Sequence, residues 1–210
     1  MTGKLSLRDF ISTTLLKDCS GVFASVIAQL ANLSFAKGLF PIQFKTAQVN
    51  PIVKKAGLDT SNPASYRPIS NLNTISNVLE RLFLTRLIPH ISPSICLLQS
   101  AYRQFHSTDL FKAAESDCFT VLVVIDLSAA FDTIDHQVLV RRLEHTCGVK
   151  GPALNLANSY LEGCSCFVKV GNACQLHSAL TPVFHKDLSW VHCFFNCLLR
   201  HSAMSYQVLA

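Results

Sequence analysis

Val121 to His136 reads VLVVIDLSAAFDTIDH, and no other stretch restricts the possible folds as tightly. Val121, Leu122, Val123, Val124 and Ile125 form an unbroken apolar run rich in β-branched residues, the pattern of a strand buried on both faces. The run stops at Asp126, and a second carboxylate, Asp132, follows six residues later. A carboxylate at the end of a buried strand sits where the apolar core ends. That placement is costly without a partner, and a metal ion is a common one. For these residues taken alone, a strand followed by a polar turn is the plain alternative.

The 210 residues suffice for one domain with a real core, or for part of something larger. Half of them are apolar and 15% are charged, which excludes a disordered chain. The net charge of +5 is compatible with nucleic acid without being diagnostic of it. Lys37, Lys45, Lys54, Lys55, Arg67, Arg81, Arg86 and Arg103 concentrate it in the N-terminal half, where ordinary surface charge explains it equally well. Nine cysteines are an odd and high number. Cys164-x-Cys166 and Cys193-x3-Cys197 lack a second ligand pair at zinc-finger spacing, so free thiols are expected rather than a zinc site or a disulfide framework. Residues 1–10 carry Asp9 and no apolar core, so the expected location is nuclear or cytoplasmic, not secreted. Gln29, Asn32 and Lys37 interrupt the apolar stretch Gly21 to Leu39, which reads as an amphipathic helix and not a membrane span.

That helix places Val22, Phe23, Val26, Ile27, Leu30 and Leu33 at helical spacing, with Ser20 as N-cap and Gly38 and Pro41 as its stop. Ala47 to Val53 reads as a short strand, and Pro51 puts it near an edge or bulge. Lys54 to Gly57 reads as a turn, 58–65 as a polar loop and Tyr66 to Ile69 as extended. Ile75, Val78, Leu79, Leu82, Phe83 and Leu87 predict a second amphipathic helix, closed by Pro89 and Pro93. Helices are expected over Ile134–His145 and Pro152–Leu161. Cys166 to Val170 alternates and meets Gly171-Asn172, a hairpin signal.

VLVVIDLSAAFDTIDH resembles the first catalytic motif of reverse transcriptases from LINE-type (non-LTR) retrotransposons. Phe40-Pro41 with Phe44-Lys45-Thr46-Ala47 resembles that family's FP-x-x-WK-x-A segment, with Phe44 in place of Trp. Pro51-Ile52-Val53-Lys54-Lys55 resembles its strand end. Tyr66-Arg67-Pro68-Ile69-Ser70 matches its YRPIS motif, followed by Leu72, Ser76 and Glu80. Gln99-Ser100-Ala101-Tyr102-Arg103 and His106-Ser107-Thr108 match a further element, and Ser159-Tyr160-Leu161 with the strand to Val170-Gly171 matches the segment after the palm helix. The matches run in order over roughly residues 10–181.

The resemblance implies an α/β (α+β) fold: a partial polymerase right hand within residues 1–181, with fingers at about 20–110 and an incomplete palm at about 118–181. It implies RNA-directed DNA polymerisation with Mg²⁺, on an RNA or DNA template-primer and deoxynucleotides. Such chemistry is an in-line attack on an α-phosphate, served by two metal ions about 3.5–4 Å apart. Asp126 and the carbonyl of Leu127 would bind metal. Phe131 would pack under the sugar; by itself it reads as a core aromatic. Lys54, Lys55 and Arg67 would meet the incoming triphosphate, and Gln99, Tyr102 and Arg103 would line the template groove. Each basic residue taken singly also fits ordinary surface charge.

The chain departs from the family in three ways. The stretch between Thr108 and Thr120 is shorter than the helix and loop expected there. Leu154 to Asn158 lacks the usual aromatic pair, and Cys164 stands where Arg is favoured. Last, the family's next motif is replaced by Pro182-Val183-Phe184-His185-Lys186-Asp187-Leu188-Ser189-Trp190-Val191-His192-Cys193-Phe194-Phe195. Permitted codons for this stretch, read from the last base of the Pro182 codon, translate as Gly-Val-Pro-Gln-Gly-Ser-Val-Leu-Gly-Pro-Leu-Leu-Phe, the missing motif in full. A frame slip near Thr181 is therefore expected, with 182–210 an out-of-frame tail. No adjacent Asp pair occurs anywhere, so the second half of the metal site is missing and these residues are expected to be inactive as a polymerase. The alternatives are a fragment that binds nucleic acid weakly and without sequence preference, or a product too unstable to fold.

Overall fold

The computed structural model describes residues 11–94, 115, 135–170 and 173–177. The expected core strand Val121–Ile125, and Asp126, Leu127, Phe131, Gln99, Tyr102 and Arg103, lie outside the described residues, as does the tail 182–210.

Helix α1 (Thr13–Asp18) is capped by Ser12, whose hydroxyl accepts the Leu15 N–H at 3.1 Å. Helix α2 (Ser20–Lys37) follows at once. Its cap residue is Cys19, not the expected Ser20, and no side chain caps it. The Cys19 N–H still bonds the Leu15 carbonyl in α1, so the chain passes from one helix into the next and Ser20 is already helical. Gly38 ends α2 in the left-handed conformation (φ 63°), and the Leu39 N–H closes back on the Ser34 carbonyl at 3.1 Å. The expected apolar stripe of α2 is only half used. Phe23, Ile27 and Leu30 are partly buried, while Val22 (70% exposed), Val26 (60%) and Leu33 (53%) face outward. The fully buried positions are the small Ala31 and Ser34, which let the helix approach its neighbours closely.

Strand β1 (Thr46–Val53) begins one residue before the expected start, and β2 (Tyr66–Asn71) runs antiparallel to it. Pro51 lies opposite Pro68. The Lys54 N–H donates to the Ser65 carbonyl at 2.9 Å, which sets the phase of the ladder and leaves both prolines at a pair where no N–H is required. The sheet order is β2-β1-β3-β4, with β3 (Ser165–Val170) parallel to β1 and β4 (Ala173–His177) antiparallel to β3. Val170 pairs with Ala173 across the Gly171-Asn172 step, as the hairpin signal predicts. Pairing of β1 with β3 stops at Val49, so at Pro51 β2 is the one strand paired with β1 among the described residues.

Helix α3 (Thr74–Ile91) is capped by Asn73, which accepts the Ile75 N–H at 2.8 Å. Its buried stripe is Ser76, Leu79, Glu80, Phe83, Leu84, Leu87 and Ile91, while Leu82 stands at the exposed edge. Pro89 does not close the helix as expected. It lies in the last turn, where its fixed φ is helical and only the bond to the Thr85 carbonyl is forgone, and the helix runs two residues further. Pro93 sits in the 3-10 turn Ser92–Ser94 that follows.

Helix α4 (His136–His145) starts on Asp135, whose carboxylate accepts the N–H groups of Gln137 (2.8 Å) and Val138 (3.1 Å). Helix α5 (Gly151–Leu161) has Pro152 in its first turn, where no N–H is needed. Among the described residues, Leu79, Ile91, Leu139, Leu143 and Leu156 are the largest fully buried apolar side chains, so the core is shared by α3, α4 and α5, with Ala47 of β1 sealing it from the sheet side. Mixed helix and strand content around one small sheet agrees with the expected α/β class. No helix among the described residues is long and apolar enough to cross a membrane.

Candidate functional site

Two clusters of motif residues stand out, one exposed and one buried. The exposed one is built by the free end of β1 and β2. Ile52 pairs with Arg67, and the hydrogen bond from Lys54 to Ser65 continues the ladder one rung further. Side chains two apart on a strand share a face, as do directly paired residues, so Ile52, Lys54 and Arg67 stand on one face. Lys54, Lys55 and Arg67 are all exposed.

The loop behind them is internally fixed. Asp59 accepts the Ser61 N–H at 2.8 Å and its hydroxyl at 2.7 Å, and these bonds hold the Asp59 carboxyl below its ordinary pKa. Asn62 caps the 3-10 turn Pro63–Ser65 through the Ala64 N–H at 2.9 Å, and the Tyr66 hydroxyl donates to the Thr60 carbonyl at 2.9 Å. The Lys54 ammonium donates to the Ala64 carbonyl at 2.8 Å. An ammonium has three N–H groups, so two remain for an anion. The result is a hydrogen-bonded turn presenting cationic side chains to water.

The buried cluster joins segments far apart in sequence. Lys45, only 9% exposed, precedes β1 and turns its ammonium onto the C-terminal end of α5, to the carbonyl and hydroxyl of Ser159 and the carbonyl of Glu162. Those carbonyls lack intrahelical partners, and the helix end favours a cation. Burial pushes the Lys45 pKa down, partly offset by Cys164 and Glu162. The Phe40 N–H donates to the Ser159 hydroxyl at 3.1 Å, and the Phe40 ring meets Tyr160 edge-on at 4.8 Å. The Tyr160 hydroxyl reaches Glu80 of α3 at 3.4 Å, and burial, with Glu80 next in weight, raises its pKa well above the ordinary value. Cys164 donates its thiol to the Tyr160 carbonyl at 3.2 Å; burial raises its pKa, so it stays a protonated thiol and not a reactive thiolate.

Of the residues singled out from sequence, the structure brings Lys54 and Arg67 onto one face and leaves Lys55 on the adjoining turn. No role was assigned from sequence to Lys45, Glu80, Ser159 or Tyr160, although all four lie in recognised motif segments. Membership of those segments was the signal available for them. Among the described residues, no group of three His, Cys, Asp or Glu residues is placed to hold a metal ion.

The sequence matches the reverse transcriptase (RNA-dependent DNA polymerase) family over residues 52–179, more than half of the chain. It is 30% identical over 158 residues to a probable RNA-directed DNA polymerase from transposon BS of Drosophila melanogaster, covering 70% of this chain and 17% of that one. It is 32% identical over 138 residues to a probable RNA-directed DNA polymerase from the X-element of the same fly (59% and 14%). With the RNA-directed DNA polymerase from the mobile element jockey it shares 28% over 125 residues (54% and 14%). The chain thus spans less than a fifth of the length of these relatives. The span matched includes Lys54, Lys55, Arg67, Glu80, Asp126 and the Ser159–Leu161 segment, and on that ground the chain belongs to the reverse transcriptase (RNA-dependent DNA polymerase) family, as a domain of the LINE-type retrotransposon kind.

Proposed function

We propose that the described residues belong to the fingers and part of the palm of a reverse transcriptase domain, and that Lys54, Lys55 and Arg67 form its phosphate-binding tip. The observation that carries this is the placement of exposed Lys54 and Arg67 on one face of a two-stranded ribbon inside the span of the family match. Lys supplies point charge and Arg a planar fork that takes two phosphate oxygens. Gln99, Tyr102 and Arg103 would line the template side, and Phe131 would meet the sugar. Domain limits follow the same reading: 1–181 as the polymerase part and 182–210 as out-of-frame sequence. The family match ends at residue 179, next to the expected slip near Thr181, which supports that limit.

Mg²⁺ would be held by Asp126 and the Leu127 carbonyl, with the family's second carboxylate group opposite. The adjacent Asp pair that would supply that group is absent from the sequence, so the residues present do not complete a metal site. These 210 residues alone are therefore proposed to bind template-primer and not to extend it. A primer-extension assay with Mg²⁺ or Mn²⁺ tests this: no template-dependent product is expected, and any such product refutes it. Binding is tested with a labelled single-stranded oligonucleotide. Affinity should drop steeply with salt and fall when Lys54, Lys55 and Arg67 are all changed to Ala; unchanged binding in that variant refutes the assigned tip.

A further inference from the structure

Burying a cation costs free energy that the nearby Glu162 only partly offsets, and an apolar side chain at position 45 would serve a mere packing role better. Lys45 instead makes three hydrogen bonds to one helix end, enough to satisfy every N–H of its ammonium. The backbone closes the same junction from the other side. The Ser165 N–H donates to the Lys45 carbonyl at 3.3 Å, and the hydroxyls of Thr46 and Ser165 meet at 2.9 Å. Lys45 thus fixes the point where β1, α5 and β3 come together.

What lies beyond that point gives the anchor its leverage. β3 pairs with β1 only as far as Val49, and from Asn50 onward β2 is the one strand paired with β1 among the described residues. Lys54 and Arg67 stand at the far end of this β1–β2 pair. At about 3.3 Å per residue the tip is about 16 Å beyond Val49, the last residue of β1 paired with β3, so a tilt of about 5° there moves the tip by about 1.4 Å. A displacement of about 1 Å is of the size that takes a hydrogen-bonding group out of contact distance.

We propose that Lys45 is a positioning residue for the basic tip: its ammonium, locked onto the C-terminal end of α5, sets the direction in which the β1–β2 ribbon carries Lys54 and Arg67. This rests on the reading that Lys54 and Arg67 bind phosphate. Lys45 itself touches no ligand; it acts through the strand.

The test is a mutant cycle on the 210-residue chain with inorganic tripolyphosphate as the probe, its affinity measured by calorimetry on protein shown to be folded by circular dichroism. Lys54→Ala/Arg67→Ala should weaken binding at least tenfold. Lys45→Met should weaken it about tenfold in the parent background, Lys45→Arg should restore most of the loss, and Lys45→Met should add nothing once Lys54 and Arg67 are gone. A general loss of charge or stability would add in both backgrounds, so additivity overturns the proposal, as does a folded Lys45→Met protein with parental affinity. Unchanged binding by Lys54→Ala/Arg67→Ala instead overturns the tip, and the lever with it. Should Lys45→Met fail to fold, Ser159→Ala replaces it. That change removes one acceptor and leaves the carbonyls, so a threefold to fivefold loss with the same non-additivity is expected, and parental affinity overturns the proposal.

Discussion

Gly38 joins the end of α2 to the face of α5, and replacing it with Ala separates two costs that usually arrive together. Its φ of 63° is in the left-handed region, where a Cβ costs about 1–2 kcal/mol. A Cβ built there would also lie 2.8 Å from the Asn155 Cβ and 2.9 Å from the Pro152 carbonyl oxygen. Both are parts of α5 that cannot rotate away, so the two helices must part, a strain of the order of 1–3 kcal/mol. Gly38→Ala should therefore destabilise the fold by about 2–5 kcal/mol. Gly57 is the internal control. Its φ is 84°, but nothing lies within 4 Å of a Cβ there, so Gly57→Ala should cost only the conformational part, about 1–2 kcal/mol. Urea unfolding followed by circular dichroism compares the two midpoints at a common slope. If Gly38→Ala costs no more than Gly57→Ala, the close approach of α2 and α5 is not as described, and the shared core with it.

Other expectations concern titration and charge. Tyr160→Phe removes the hydroxyl that meets buried Glu80 and should cost about 1–2 kcal/mol in the same unfolding assay. Because the folded pKa of Tyr160 is raised well above 10.0, its contribution is complete below pH 10 and is lost as pH rises beyond it. Lys45, with a lowered pKa, works in the opposite direction below 10.5, so the alkaline loss is read as the difference between parent and Tyr160→Phe. His136 has its pKa lowered from 6.5 by burial, and stability should be present above pH 6.5 and decline as pH falls through the depressed value. His136→Gln should flatten that acid limb, and an unchanged limb would rule the residue out as its source. Changing Lys54, Lys55 and Arg67 together to Ala should reduce the salt slope of single-strand binding by about 2, since each phosphate contact contributes about 0.7. An unchanged slope would place the contacts elsewhere.

The strands and helices that hold the molecule together were legible wherever the local signal and the tertiary demand coincide. Asp135 before an amphipathic run, Pro152 in a first turn and an alternating strand before a hairpin signal each announce the element that the structure shows. The departures arise where a neighbour decides. Ser20 has the chemistry of a cap, but α1 delivers its last turn directly into α2, so no cap is needed. Pro89 carries a strong stop signal, yet in a last turn it forgoes one bond, and Ile91, wholly buried, holds the helix on. Val22, Val26 and Leu33 fit the helical spacing as well as Phe23, Ile27 and Leu30 do, and periodicity cannot say which side of a helix whose one charge is Lys37 in its last turn meets the core.

The site divides along a similar line. Lys54 and Arg67 could each be singled out from their motif segments, a strand end and a YRPIS run that imply extended backbone, but their common face comes from the β1–β2 register. Lys45 could not. As a residue type it is indistinguishable from its exposed neighbours in the same basic half of the chain. What sets it apart is a helix end contributed from more than a hundred residues away, through Ser159 and Glu162. The same holds for Glu80, a surface-type residue buried to 2% and met there by Tyr160. Motif positions therefore mix two kinds of constraint: cations that must face water to meet phosphate, and polar groups that must avoid water to fix where those cations point. Burial separates the two kinds, and burial depends on which segments meet, which no local pattern in this chain records.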